Sequence, residues 1–166
     1  GKVVAPLQVS VWPTIECQMR CEACCCREED HGSVASLPWA DYVEAIRVLS
    51  TYGTKAVEFS GGGEPLLWED FEAGVELAKT CGLQVGLVTN GLKLNEVPLH
   101  VLEKLAWIRV SVYSMKQIAG IDFNRIPVRA SFSYILGPMD DLKELHDFAV
   151  GNNLPVRLAV EQPSGP

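Results

Sequence analysis

The chain has 166 residues, 48% hydrophobic and 21% charged, with a formal net charge of −7. This is one domain's worth of sequence, enough for a real core but short for a complete eight-fold α/β barrel. An acidic balance without a basic patch argues against broad nucleic-acid binding, and no apolar run reaches the roughly 18 residues of a membrane span.

Residues 6–12 alternate as a strand does. Directly after them come five of the six cysteines within ten residues: Cys17, Cys21, Cys24, Cys25 and Cys26. Cys17, Cys21 and Cys24 are spaced C-x3-C-x2-C. Thiolates are the soft ligands that select iron–sulfur clusters, zinc and Cu(I). No charged-then-apolar leader opens the sequence. The cluster therefore reads as a metal site in a reducing compartment, not a disulfide framework, and the protein as cytoplasmic.

A helix is expected from Pro38 to about Thr51, with Tyr42, Val43, Ile46 and Leu49 on one face and Gly53 closing it. Residues 56–60 form a short strand running into Gly61-Gly62-Gly63-Glu64-Pro65. A helix follows over 68–81, then a strand over 84–89 stopped by Asn90-Gly91. Residues 97–105 read as helix and 108–113 as a fourth strand. The stretch 114–127 is too short and irregular for a regular helix. A fifth strand (128–136), a helix (140–150) and a sixth strand (156–161) complete the pattern. Residues 1–162 form one core domain and 163–166 a tail.

Strands alternating with helices mean right-handed βαβ units and a parallel sheet, either doubly wound or a partial barrel. The strand faces decide. Ile108, Val110 and Val112 alternate with Arg109, Ser111 and Tyr113. Ala130, Phe132 and Tyr134 alternate with Arg129, Ser131 and Ser133. Val156 and Leu158 alternate with Arg157 and Ala159, and Val57 and Phe59 with Glu58 and Ser60. Parallel strands covered on both faces are apolar throughout; these are apolar on one face only. The expected fold is a partial, laterally open (βα)6 barrel, helices outside and a polar hollow inside, with a shortened or missing fourth helix. Arg109, Arg129 and Arg157 sit low in that hollow, offset by Glu58. Ligands of α/β folds gather at the carboxyl ends of strands, where the cysteines, Gly61–Pro65 and Asn90 fall.

Three cysteines alone leave two readings, an iron–sulfur cluster or structural zinc with Cys25 or Cys26 as fourth ligand. Zinc sites usually pair two C-x2-C units or add spaced histidines, and His31, His100 and His146 show no such spacing. Gly61–Pro65 lacks the lysine and Ser/Thr of a phosphate loop. With Glu64 beside it, the loop suits a cationic amine.

Together, C-x3-C-x2-C after the first strand and Gly-Gly-Glu-Pro after the second resemble the radical S-adenosylmethionine (radical SAM) superfamily. The resemblance runs from about Pro6 to Glu161. It implies that Cys17, Cys21 and Cys24 hold a [4Fe–4S] cluster whose fourth iron is chelated by SAM. It also implies reductive cleavage to methionine and a 5′-deoxyadenosyl radical that abstracts hydrogen from a substrate. On the same resemblance, Gly62, Gly63, Glu64 and Pro65 meet the SAM amino group, Asn90 lies near SAM and Ser111 contacts its ribose. Arg125 is a candidate for the SAM carboxylate, since arginine forks bind carboxylates bidentately.

Three positions depart from the pattern. Ala23 stands where an aromatic is usual, Ser111-Val112-Tyr113 replaces Ser-Leu-Asp, and the fourth helix is reduced. Cys25 and Cys26 read as alternative ligands, reactive thiols or small apolar loop residues, and Cys81 as a core residue. An open mouth with little lid suits a peptide or protein substrate, with flavodoxin or ferredoxin as electron donor. The alternatives are an activase for a glycyl-radical enzyme, or a non-catalytic iron–sulfur or zinc protein.

Overall fold

The computed structural model describes residues 5–21, 24, 36–135 and 139–159. Six parallel strands form one open sheet in the sequential order β1-β2-β3-β4-β5-β6: β1 Gln8–Val11, β2 Ala56–Phe59, β3 Gln84–Thr89, β4 Trp107–Val112, β5 Arg129–Ile135 and β6 Val156–Ala159. Between them run α1 Trp39–Tyr52, α2 Phe71–Thr80, α3 Leu99–Leu102, α4 Met115–Ile118 and α5 Met139–Gly151. Sequential parallel neighbours joined by crossovers of one hand put every helix on the same side. The expected α/β partial barrel, open at its side, is what the chain forms.

Burial shows which side. Val57, Phe59, Val85, Leu87, Ile108, Val110, Val112 and Phe132 are fully buried, in one cluster with Tyr42 and Ile46 of α1, Val75 and Ala78 of α2 and Leu145 of α5. The alternate residues Glu58, Val88, Arg109, Ser111, Ser131 and Ser133 are half-buried on the opposite face, which carries no helix among the described residues. That face is the hollow. Burying each of these Val, Leu, Ile and Phe side chains contributes about 1.5–3 kcal/mol, so the strand faces cannot exchange without losing the core.

Local chemistry moves several boundaries. α1 stops at Gly53, whose φ of 102° only glycine adopts without strain. The helix expected over 68–81 starts three residues late. Pro65–Leu67 forms a single 3-10 turn capped by the Glu64 side chain, Trp68 is extended, and α2 starts at Phe71. The helix expected over 97–105 shrinks to four residues, because Val97 precedes Pro98 and both are extended. The 114–127 stretch holds a one-turn α4 and a 3-10 turn at Phe123–Arg125. The fourth helix is shortened, not missing.

Below the second crossover an aromatic cluster supports the site. Phe59 packs on Trp68 and Phe71, with ring centroids 6.1 and 5.3 Å away. The Tyr42 hydroxyl donates to the Gly74 carbonyl at 2.8 Å. Among the described residues no helix is long and apolar enough to cross a membrane.

Candidate functional site

The excursion carrying the cysteines leaves and returns at one point. Thr14 and Ser36 form an isolated antiparallel bridge, and the Leu37 N–H donates to the Pro13 carbonyl at 2.7 Å. Beyond Thr14 the outgoing arm is tied to the exit of β2. Gly63 N–H donates to Thr14 O at 2.9 Å, and Glu64 N–H to Glu16 O at 2.7 Å. Gly63 has to be glycine for this: a Cβ there would lie 2.2 Å from Glu16 O and 2.5 Å from the Ile15 carbonyl carbon. The glycine run thus brings two main-chain segments into direct contact and places the cysteine arm against the strand ends.

The Glu64 side chain is tied into the fold. It is 2% exposed. Its Oε1 accepts from the Thr89 hydroxyl at 2.6 Å and Leu66 N–H at 3.1 Å, and its Oε2 from Asn90 N–H at 2.7 Å. The carboxylate stitches the β2 exit to the β3 exit. Burial pushes its carboxyl above the ordinary range, against the pull of those three donors. The cationic-amine role expected of the side chain therefore competes with three internal donors, while the backbone of the loop still faces the cavity.

The three thiols converge. Cys17, Cys21 and Cys24 line one cavity of about 310 Å³ together with Gly61–Pro65, Thr89, Asn90, Ser111 and Tyr113. None of the three is in a disulfide. Cys17 Sγ accepts from Met19 N–H at 3.4 Å and from Asn90 Nδ2 at 3.8 Å. The Tyr113 hydroxyl lies beside Cys21 and lowers its thiol. Burial raises the thiols of Cys17 and Cys21 above the ordinary range, and these donors partly oppose it. The Tyr113 phenol is likewise pushed up, by burial first and then by Cys21. Among the described residues, no three His, Cys, Asp or Glu side chains are gathered closely enough to hold a single metal ion. The thiols instead ring the mouth of a shared cavity.

The strand-end residues are locked from behind by Gln117, a residue that no sequence signal singles out. Its Nε2 donates to the carbonyls of Asn90 at 2.6 Å and Ser111 at 2.7 Å, and its Oε1 accepts from Tyr113 N–H at 2.9 Å. One side chain of the abbreviated α4 thereby joins β3 to β4 where a longer helix would have packed. No periodicity or motif signals such a residue; only its long-range partners reveal it.

Of the residues expected at the site, Gly62, Gly63, Glu64, Pro65, Asn90 and Ser111 line the cavity with the three cysteines. Arg125 does not. Its guanidinium donates to the carbonyls of Asn95 at 2.7 Å, Val97 at 2.6 Å and Leu94 at 3.4 Å. The fork holds the 3-10 turn at Leu94–Glu96, and Arg125 is not among the residues lining the cysteine cavity. Ala23, Cys25, Cys26 and His31 lie outside the described residues.

Three soft thiolate donors around a cavity floored by glycine backbone fit a metal–sulfur cluster with one coordination position left to a ligand. An open, parallel, one-sided α/β sheet with that site at its carboxyl edge defines a partial-barrel cluster protein. The Radical SAM superfamily model matches residues 13–152, and the chain belongs to that superfamily, whose members use a [4Fe–4S] cluster and SAM.

Among curated proteins, the chain is 28% identical over 145 residues to an S-adenosylmethionine-dependent nucleotide dehydratase of Lacinutrix mariniflava, covering 81% of this chain and 29% of that protein. It is 28% identical over 128 residues to the probable GTP 3′,8-cyclase of Thermococcus kodakarensis, covering 74% and 41%. The chain thus spans well under half the length of these relatives. Among solved structures, Streptococcus suis SuiB bound to the precursor peptide SuiA superposes with a TM-score of 0.75 at 17% identity, over 96% of this chain and 40% of SuiB. Native anSMEcpe with bound AdoMet superposes with a TM-score of 0.69 at 16% identity, over 95% and 52%.

Proposed function

We propose that this chain is the catalytic core of a radical SAM enzyme. The observation that carries the reading is the convergence of Cys17, Cys21 and Cys24 with the Gly61–Pro65 backbone on one cavity at the carboxyl edge of an open parallel sheet. The three thiolates would hold a [4Fe–4S] cluster, and SAM would take the open iron. When bound, this pair supplies reductive cleavage to methionine and a 5′-deoxyadenosyl radical that takes hydrogen from a substrate, given one electron from a donor such as ferredoxin or flavodoxin.

The chain's own residues set the stage. Met19 N–H and Asn90 Nδ2–H donate to Cys17 sulfur, and the Tyr113 hydroxyl lies beside Cys21. Donors to cluster sulfurs stabilise the reduced, more negative form. Gly62 and Gly63 present main chain without side chains, so the SAM amino acid moiety can approach their carbonyls closely. Ser111 offers a hydroxyl to the ribose from the β4 wall.

Anaerobically reconstituted protein should bind about four irons and, with dithionite and SAM, release 5′-deoxyadenosine. The Cys17→Ala, Cys21→Ala, Cys24→Ala triple variant should do neither. Release of 5′-deoxyadenosine by that variant would overturn the reading.

Two substrate classes fit the mouth. A peptide or protein is supported by an entrance that residues 114–127 do not line and by the peptide bound to SuiB. A phosphorylated small molecule is supported by curated relatives named for nucleotides and by the composition of the hollow's floor. The second has the more specific observation behind it.

A further inference from the structure

We infer that the floor of the hollow on β4–β6 is an anion subsite, built from Arg109, Arg129 and Arg157 with Ser131 and Ser133, that binds the phosphates of a small polyphosphorylated substrate. This subsite deepens the radical SAM reading and rests on it for the chemistry, though not for the binding.

Strand geometry places these side chains together. On β5, Ala130, Phe132 and Tyr134 are buried towards the helices, so Arg129, Ser131 and Ser133 face the hollow. On β4 the same alternation turns Trp107, Arg109 and Ser111 inward. On β6, Val156 and Leu158 share a small cavity with Leu142 and His146 of α5, so Arg157, exposed on this edge strand, lies on the opposite face. The register then sets Arg109 beside Ser131, Trp107 beside Arg129, and Ser111, Ser133 and Arg157 in one row across three strands. Three of the seven arginines of a chain with net charge −7 fall on this one face.

Among the described residues these cations have no carboxylate partner. The ion pairs among the described residues are Lys93–Glu96, His100–Glu72, Lys104–Glu76 and His146–Asp147, none of them in the hollow. Glu58, the expected counter-charge, instead accepts from Gln8 Nε2 at 3.3 Å. Arg109 is also held in place: its guanidinium carbon lies 5.1 Å from the centroid of the Trp107 ring. The Trp107 ring in turn lies 2.3 Å from where a Cβ on Gly86 would be. Glycine at position 86 exists to let that ring lie flat on β3. A guanidinium stacked by its face keeps its edge N–H groups for an anion, and the fork matches phosphate oxygens bidentately.

The distance also suits a compact substrate. Ser111 is on the wall of the cysteine cavity, and Arg157 is two strands further on, about 10 Å away at roughly 4.8 Å per strand. A substrate anchored by its phosphates at Arg109 and Arg157 would present its other end to that cavity. Three guanidinium groups and two hydroxyls exceed what a single carboxylate needs and match a di- or triphosphate.

The test uses anaerobically reconstituted protein titrated by calorimetry with inorganic triphosphate, the four common ribonucleoside triphosphates, their uncharged nucleosides and a neutral peptide. A triphosphate should bind, and its affinity should fall with ionic strength. Arg109→Ala and Arg157→Ala should each weaken binding by about tenfold or more. Arg109→Lys should weaken it less, because charge is kept and only the fork is lost. Circular dichroism melts confirm that each variant is folded. Nucleosides binding as tightly as their triphosphates, triphosphate affinity unchanged in folded Arg109→Ala and Arg157→Ala, or peptide binding with no triphosphate binding would each overturn the subsite. Failure of the wild type to release 5′-deoxyadenosine would overturn the radical SAM reading separately, whatever the titrations show.

Discussion

Replacing Glu64 separates two roles that its motif merges. If its carboxylate mainly joins β2 to β3, then Glu64→Gln disturbs the fold before any ligand is added. The glutamine carbonyl can keep the Thr89 hydroxyl and Leu66 N–H, both now on Oε1. Its amide nitrogen then confronts the Asn90 N–H, now 2.7 Å from Oε2, donor against donor. Losing one hydrogen bond to a charged group costs about 1.5–3 kcal/mol, and Glu64→Ala, which orphans three donors, about 3–6 kcal/mol. Urea unfolding of the cluster-free and reconstituted proteins measures both.

The pH dependence gives a second check. The folded carboxyl is held above its unfolded value by burial, so folding favours its protonated form. The stability this brings is fully present below about pH 4.3 and is lost as pH rises through the folded value. Wild-type stability should therefore decline with pH across that window relative to Glu64→Gln, which does not titrate. A Glu64→Gln protein within about 0.5 kcal/mol of wild type, but unable to bind SAM, would refute the stitching role.

Arg125→Ala should lower stability by about 1–3 kcal/mol through three lost carbonyl contacts and leave SAM affinity, read by calorimetry, unchanged. Gly63→Ala should drive Glu16 away from the β2 exit, so that iron content after reconstitution falls well below the wild-type value while the far-ultraviolet circular dichroism stays the same. Gln117→Ala releases the Asn90, Ser111 and Tyr113 main chain together. Its effect should be a loss of about 1–3 kcal/mol and a raised Kd for SAM, with iron content retained.

Much of the architecture was legible because it repeats. The apolar faces of residues 57–59, 108–112 and 130–134 alternate with period two, and the helices between them bury one stripe each, so the one-sided sheet follows from pattern alone. The cysteine spacing and Gly61–Pro65 were legible because soft donors and consecutive glycines are rare and local. What escaped was decided at long range. Glu64 finds its partners 25 and 26 positions away, Gln117 one of its own 27 positions away, and Arg125 its carbonyls 28 to 31 positions away. A propensity or a periodicity holds no record of such pairs. Arg125 suits an anion by type, but its place in the fold puts its fork on main-chain carbonyls. Trp107 and Gly86, adjacent only across the sheet, were equally invisible.

The two bonds from Gly63 and Glu64 amides to the carbonyls of Thr14 and Glu16 join backbone to backbone. Among amino-acid exchanges only proline at 63 or 64 removes such a donor outright, and a bulky replacement at Gly63 can force its bond open. The position of the metal-binding arm is therefore inherited from the course of the main chain, while most side chains along it are left to drift. A lineage built this way can rewrite its sequence around a fixed main-chain course, and the folds of SuiB and anSMEcpe superpose over 95–96% of this chain at 16–17% identity. Substrate preference can diversify on the floor of the hollow without unseating the centre that does the chemistry.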